Sequence, residues 1–559
     1  MNRVQPVPLG DPHDPANPVG FAEVLAADER RELLEAGEAL LDDWGFNSEL
    51  VPAELGGRWQ GTDELIRRIR PVFGRDVSLG LGYGVTSLMA AVNVWTAGSA
   101  KQRHELAGLL LGGAKVAIAY HELSRGNDFL HNDFRAEARA GRLWLDGTKQ
   151  VINNVERADA LVLFARTDDR PGGRSHSTLL VDKQQLSAGG IRYLPRFRTS
   201  GVRGCLLGGF VADVCPVPAS SVVGDIGSGA ETALRSFQVT RTVLPGMAVG
   251  VLETALREVT RFAGGRRLYG TTVSGLPHAR AVLATAYTDF LIADCFSMTA
   301  ARALHIVPEQ AVTHASAVKY FVPLMIERAL RDLSVVLGAR GYLREGQHAI
   351  FGKHLRDIPV MSLGHASGTT CLLTLLPQLS TLARRGWRAE AAPAGLFDET
   401  PLNPLDFGRL RIATCGQDAL AAALLAASAS ANADAGSIPA LIGELAGHLR
   451  DLGDRCARLS PRQAGPDAEP EVFRLAERYC LLVAAASCIG VWQARAAAGA
   501  LGVFGGGTAI RAALVRLRGL LSGDRRLLPA GVAEPLFTDL VRRTEDGTTL
   551  TIGREQADG

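Results

Sequence analysis

At 559 residues the chain exceeds one compact domain, and its 47% hydrophobic and 21% charged content is that of an ordinary globular protein. Lys plus Arg (60) nearly cancels Asp plus Glu (58), which excludes the strong electrostatic footprint of a nucleic-acid or anionic-membrane binder. The opening residues Met1 to Pro6 carry no apolar signal-peptide stretch. The most apolar run, Leu481 to Trp492, is too short to span a bilayer and reads as a buried core helix. Eight scattered cysteines, none in a C-x-x-C pair, fit a reducing cytoplasm where they serve as small buried hydrophobes; neither zinc nor a disulfide framework is expected.

Residues 1–20 carry five prolines and read as an irregular lead-in. Helical spacing follows over 21–114, with Leu33, Leu34, Ala36, Leu40 and Leu41 on one helix from Ala26 to Leu41, a break at Gly56-Gly57, and a second helix over Leu65 to Val72. Over 115–226 the pattern turns to short strands. These are Lys115–Tyr120, Arg142–Gly147 ending in an Asp-Gly turn, Ala160–Ala165, Ser177–Asp182 and Cys205–Val211, as in a β-barrel or sandwich. Over 227–386 the spacing predicts four long helices, Glu231–Gly264, Leu276–Ile306, Gln310–Leu337 and Thr370–Arg385, an antiparallel bundle. A Pro-containing linker spans 387–404. Over 405–559 further helices are expected around 417–453, 471–499 and 507–522, with Gly505-Gly506-Gly507 as a loop. The class is α+β, an arrangement that serves many functions.

Several segments narrow this. Trp44-Gly45-Phe46 precedes Val51-Pro52-Ala53-Glu54-Leu55-Gly56-Gly57. Ala117 to Asp128 reads AIAYHELSRGND, Leu145 to Asn154 reads LDGTKQVINN, and Gly201-Val202-Arg203-Gly204 leads to Val214 to Pro218 and Val223-Gly224. In this order and spacing the chain, from about residue 21 to 385, resembles the acyl-CoA dehydrogenase family. The resemblance implies a helical domain, a β domain and a helical bundle, FAD as cofactor, and a homodimer or homotetramer, since the family's cofactor site is shared between subunits. The helices after 404 resemble, in position, the extensions of larger family members.

A flavin needs a packed wall for its ring and polar donors for its tail. The resemblance assigns the first to Tyr120, His121, Gly126 and Asn127 on one side and Val151 and Asn153 on the other. In many relatives the place of Val151 is aromatic and that of Asn153 is Thr or Ser. Arg266 and Tyr269, in Arg-Arg-Leu-Tyr-Gly, resemble the segment that meets the pyrophosphate, where Arg supplies a charge-assisted donor. Gly338 and Thr369 fall in further cofactor-contacting segments; the family commonly has Gln at the place of Val335. Arg241 and Asn127 are implied at the substrate.

Thioester α,β-desaturation needs a base in a dry pocket while hydride leaves the β-carbon for flavin. The family's Glu is replaced here. An ungapped count from Arg356 puts His365 at its place, alignment of the Gly-Thr pair puts Ser367 there, and the alternative site holds Thr240. Imidazole titrates near neutrality, so His365 is the candidate base. The expected activity is FAD-dependent dehydrogenation of an acyl thioester of coenzyme A or a carrier protein. Two alternatives stay open: a flavin oxygenase or amine oxidase of the same fold, and a non-catalytic subunit pairing with a catalytic homologue.

Overall fold

The helix expected over Ala26–Leu41 is two, Phe21–Arg30 and Glu35–Trp44. Arg31 takes φ 62°, and the N–H groups of Arg31 and Glu32 turn back to Asp28 O and Ala27 O. This is the left-handed stop that glycine usually provides, built here on arginine, so the sequence carries no signal for it. The computed structural model describes residues 6–552 except 171, 188, 365, 430–433, 435, 500–503, 505, 506 and 525, so His365 and the glycines at 505 and 506 lie outside the described residues. The chain divides into two compact units, residues 1–240 with 404–412, and 241–403 with 413–559.

In the first unit, the helix Val77–Ala97 contains a π turn over Gly80–Val85. Such a turn leaves carbonyls without their usual helical partners. Thr86 Oγ1 donates to Leu81 O (2.7 Å), and the side chains of Asn153 (3.3 Å) and Asn154 (2.5 Å) both donate to Gly82 O. Gly84 is required there because a Cβ would run into the Phe46 ring.

The strands of the expected β domain pair into one mixed eight-stranded sheet. We label them β1 (Val116–Ala119), β2 (Arg135–Arg139), β3 (Arg142–Asn153), β4 (Ala160–Arg166), β5 (His176–Asp182), β6 (Ile191–Leu194), β7 (Leu207–Pro218) and β8 (Val222–Val223). The order is β6-β7-β3-β2-β4-β5-β8, with β1 parallel to β4. Leu145, Leu161, Leu163, Phe210 and Val217 form its core with Phe134 and Ile152. Asp146-Gly147 does not turn the chain. Gly147, at φ 124°, sits at a register shift within β3, and a second shift between Gln150 and Ile152 puts Val151 at φ 59°. A bulge depends on the partner strand, here β7, and so escapes a local reading.

In the second unit the bundle helices are the later part of Gly229–Gly265, then Pro277–Ile306, Ala311–Leu337 and Gly368–Arg385, close to expectation. Two short helices, Ala349–Asp357 and Pro359–Leu363, precede the last. The segment 387–403 is held down: Leu396 is buried, and Arg302 donates to Gly395 O and Thr400 O, each at 2.5 Å. The expected helix over 417–453 is two, Ala419–Ser428 and Ile438–Cys456; Pro470–Ala497 and Thr508–Leu521 follow, and Ala530–Glu545 was not anticipated. Arg516 binds Asp289 through two buried bonds of 2.9 and 3.0 Å. Asp418 accepts from Trp387 Nε1 and Tyr479 OH (2.9 Å each) and from Ala421 N (3.1 Å), with His314 Nε2 at 3.3 Å. Burial alone would raise the Asp418 carboxyl, but the His314, Ala421 and Trp387 bonds hold it below its usual range.

Among the described residues, three helices are long and apolar enough to cross a membrane by length and composition: Val77–Ala97, Pro277–Ile306 and Pro470–Ala497. The run Leu481–Trp492, expected to be too short, lies inside the third. Their most apolar windows are 94%, 89% and 56% buried within the protein.

Candidate functional site

The loop after β1 is anchored by a charge placed where water does not reach. Glu122 Oε1 accepts from Lys149 Nζ (2.8 Å) and Phe134 N (3.1 Å), and Oε2 from Asp133 N (2.8 Å). Lys149, fully buried, also donates to Tyr120 O (3.2 Å) and lies 5.2 Å from the Phe134 ring centre. Burial lowers its pKa to about 8, and Glu122 opposes that fall. A pair so bonded is costly to break from one side. It fixes both ends of the 123–133 loop, on which Asn127 is exposed and Gly126, at φ 55°, has open space around it.

Tyr120 turns its side chain inward. Its hydroxyl donates to Asn93 Oδ1 (2.9 Å) and meets Thr178 Oγ1 (3.0 Å), and its ring lies 5.0 Å from Phe164 and 5.8 Å from Phe237. His121 is half-buried, with Nδ1 3.3 Å from Gln150 O, and burial lowers its pKa. On β3 the Asn153 amide nitrogen is engaged by the π turn, at 2.8 Å from Thr86 Oγ1, while its Oδ1 is buried with no hydrogen-bond partner among the described residues. A buried acceptor beside a bulged, half-buried Val151 suits the N–H edge of a flat heterocycle.

In the second unit, Arg266 follows the end of Gly229–Gly265 and is exposed. Arg267–Leu268 pairs with Thr271–Thr272 in a ribbon turned at Tyr269-Gly270, where Tyr269 has φ 52° and is 91% exposed. Gly338, at φ 55°, ends Ala311–Leu337, and the chain beyond it returns to the same helix end: His348 Nδ1 lies 3.3 Å from Glu258, with its ring against Phe262. Exposed Arg266, Arg267, Arg340 and Tyr269 with Gly338 are therefore at one end of the bundle. Cations with an aromatic face suit a nucleotide pyrophosphate tail. Within each unit the residues present thus fit the two halves of FAD.

At the base positions, Thr240 is buried and donates to Phe237 O (3.2 Å). Ser367 caps Gly368–Arg385, accepting from Thr370 N (3.2 Å). Thr369, in that first turn, is exposed. Arg241 is buried, with Nη1 3.5 Å from Ser316 Oγ and 3.4 Å from Thr374 Oγ1. Two residues of this region went unread in the sequence: Glu122, inside a quoted motif yet given no role, and Lys319, whose Nζ donates to Met361 O (2.6 Å). Burial lowers the Lys319 pKa to about 8. A lysine between Val318 and Phe321 in an apolar helix was the available signal.

Residues 227–373 match the family model described as acyl-CoA dehydrogenase, C-terminal domain. The mitochondrial isovaleryl-CoA dehydrogenase of Oryza sativa subsp. japonica is 24% identical over 326 residues, covering 58% of this chain and 78% of that protein. Butyryl-CoA dehydrogenase from Megasphaera elsdenii has a similar structure, with TM-score 0.58 and 20% identity over 63% of this chain and 92% of its own. The prolyl acyl carrier protein oxidase AnaB is similar at TM-score 0.54 and 19% identity, over 63% of this chain and 95% of its own. With the helical, β and bundle regions in the expected order, the chain has the fold of the acyl-CoA dehydrogenases, and residues 227–373 match their C-terminal domain.

Proposed function

We propose that this chain is an FAD-dependent oxidoreductase acting on an acyl thioester of coenzyme A or a carrier protein, by α,β-dehydrogenation with a base other than Glu. The observation that supports it most is the family match over 227–373, a segment that holds the buried Arg241 and the exposed Arg266. FAD supplies the hydride acceptor. Asn153 and the 125–128 loop would hold its ring side, and Arg266, Tyr269 and Gly338 its tail, contributed across subunits of a homo-oligomer in the cytoplasm. Arg241 would meet the substrate and His365 would take the α-proton.

The absence of a carboxylate at Thr240 and Ser367 supports a second reading, a flavin oxidase or oxygenase that removes no α-proton, or a non-catalytic partner of a family heteromer. The test is the absorbance spectrum of the purified protein with FAD after gel filtration, then anaerobic addition of acyl thioesters. Retained flavin that bleaches supports dehydrogenation. Retained flavin that bleaches only with an amine or consumes oxygen supports the second reading, and no retained flavin excludes both enzymes.

A further inference from the structure

Resting on the thioester reading, we propose that Phe129 and Phe237, backed by Tyr120, cap the acyl end of the site and restrict this chain to short acyl groups. That reading places the substrate beside Asn127, on the loop after β1, and Arg241, on the helix Gly229–Gly265. Each has an aromatic neighbour on its own element. Phe129 stands two residues past Asn127, and Phe237 stands one helical turn before Arg241, on the same face. The two rings meet edge-on with centres 5.6 Å apart. Tyr120 completes the group at 6.4 Å from Phe129 and 5.8 Å from Phe237, and Phe164 backs it at 5.0 Å from Tyr120 and 5.2 Å from Phe129. Rings at such separations are in contact, so no acyl chain passes between them.

Polar bonds keep these rings in place. The Tyr120 hydroxyl donates to Asn93 Oδ1 (2.9 Å), and Ser236 Oγ, beside Phe237 in the chain, donates to the same oxygen (2.7 Å). Swinging Tyr120 aside would leave a buried hydroxyl without its acceptor. The helical turn that carries Phe237 is held again by residues 404–412: Arg235 Nη2 donates to Phe407 O (2.7 Å) and Gln238 Nε2 to Arg411 O (2.6 Å). Tyr120, Phe164 and Phe237 are buried, and Phe129 is half-buried. Phe129 is thus the ring that an incoming group meets, on a loop fixed at both ends by the Glu122–Lys149 pair. A short acyl group stops at the open edge of that ring. Each further methylene has to enter space the rings already occupy, and forfeits the roughly fourfold gain in affinity that a buried methylene gives.

The test uses the full chain with FAD and two saturated thioesters of phosphopantetheine, the arm shared by coenzyme A and carrier proteins, one butanoyl and one octanoyl. Flavin bleaching gives kcat/KM for each. Butanoyl is expected to be favoured about tenfold or more. Phe129→Ala and Phe237→Ala, which each clear one ring, are expected to cut that ratio about tenfold or reverse it, while Phe129→Tyr keeps it. A ring that only supported the fold would lower both rates together and leave their ratio alone. The butanoyl-to-octanoyl comparison on the unaltered chain stands even if a variant does not fold. Octanoyl taken as well as butanoyl by the unaltered chain, or a ratio that neither alanine variant moves, overturns the aromatic cap and leaves the thioester reading intact. Bleaching by neither thioester overturns both.

Discussion

Among the buried lysines of the described residues, Lys149 in the β region and Lys319 in the bundle have pKa values lowered by burial to about 8. Lys149 has Glu122 at 2.8 Å, and the carboxylate spends its remaining capacity on the backbone of Asp133 and Phe134. Lys319 has a carbonyl, a thiol and an arginine for neighbours. The first lysine is closed into a self-sufficient unit that fixes a loop. The second keeps donor capacity beside another cation. Equal burial and an equal pKa therefore do not mean equal roles; what decides is whether the neighbours already balance the charge.

The largest effect that separates them is expected from Glu122→Gln, which leaves Lys149 buried beside a neutral amide. A loss of about 3–5 kcal/mol in urea unfolding follows from breaking a buried pair on one side. A loss under about 1 kcal/mol would show that the pair is not closed to water.

Proton linkage gives the next effect. A lysine lowered from 10.5 to about 8 in the folded state is protonated in the unfolded chain between those values while the folded chain has let its proton go. Stability from these groups is thus least below pH 8 and rises as pH increases from 8 toward 10.5. The denaturation midpoint should follow, and Lys319→Met should reduce the rise. An unaltered slope in that variant would place the titration elsewhere.

Val151→Gly should raise stability by about 1 kcal/mol, because a β-branched residue at φ 59° carries left-handed strain that glycine does not. The gain is read as a higher melting temperature. Smallest of all, Lys319→Met should change stability at pH 7 by less than about 1 kcal/mol, since the lost bond to Met361 O is offset by the removal of a buried charge. A loss comparable to that of Glu122→Gln would give both lysines the same structural duty.

Much of the fold was legible because burial writes itself in periodicity. The apolar runs of β4 and β5 and the long bundle helices fall within a few residues of expectation. What failed was set by distant partners. Arg31 takes a left-handed φ that its side chain does not advertise, and Gly147 belongs to a bulge that exists only against β7. Ala530–Glu545 carries Pro535 and scattered charges that mask its apolar face. Among the site residues, Arg241 is buried. Tyr120 instead turns into an aromatic interior, because Asn93 and Thr178, on other elements, offer its hydroxyl two partners. Lys319 went unread because its acceptor lies on Met361, far along the chain.

The Arg516–Asp289 pair bears on where this polypeptide can be cut. Asp289 sits in the middle of a bundle helix, and its guanidinium partner is supplied from well past residue 404. Asp418 serves His314 in the same way from the appended segment. A shortened chain ending at 404 would keep every residue that matches the family model yet leave two ionisable groups of its own interior without their counterparts. The last third of this protein is therefore no detachable passenger: bundle and appendage have to fold as one piece.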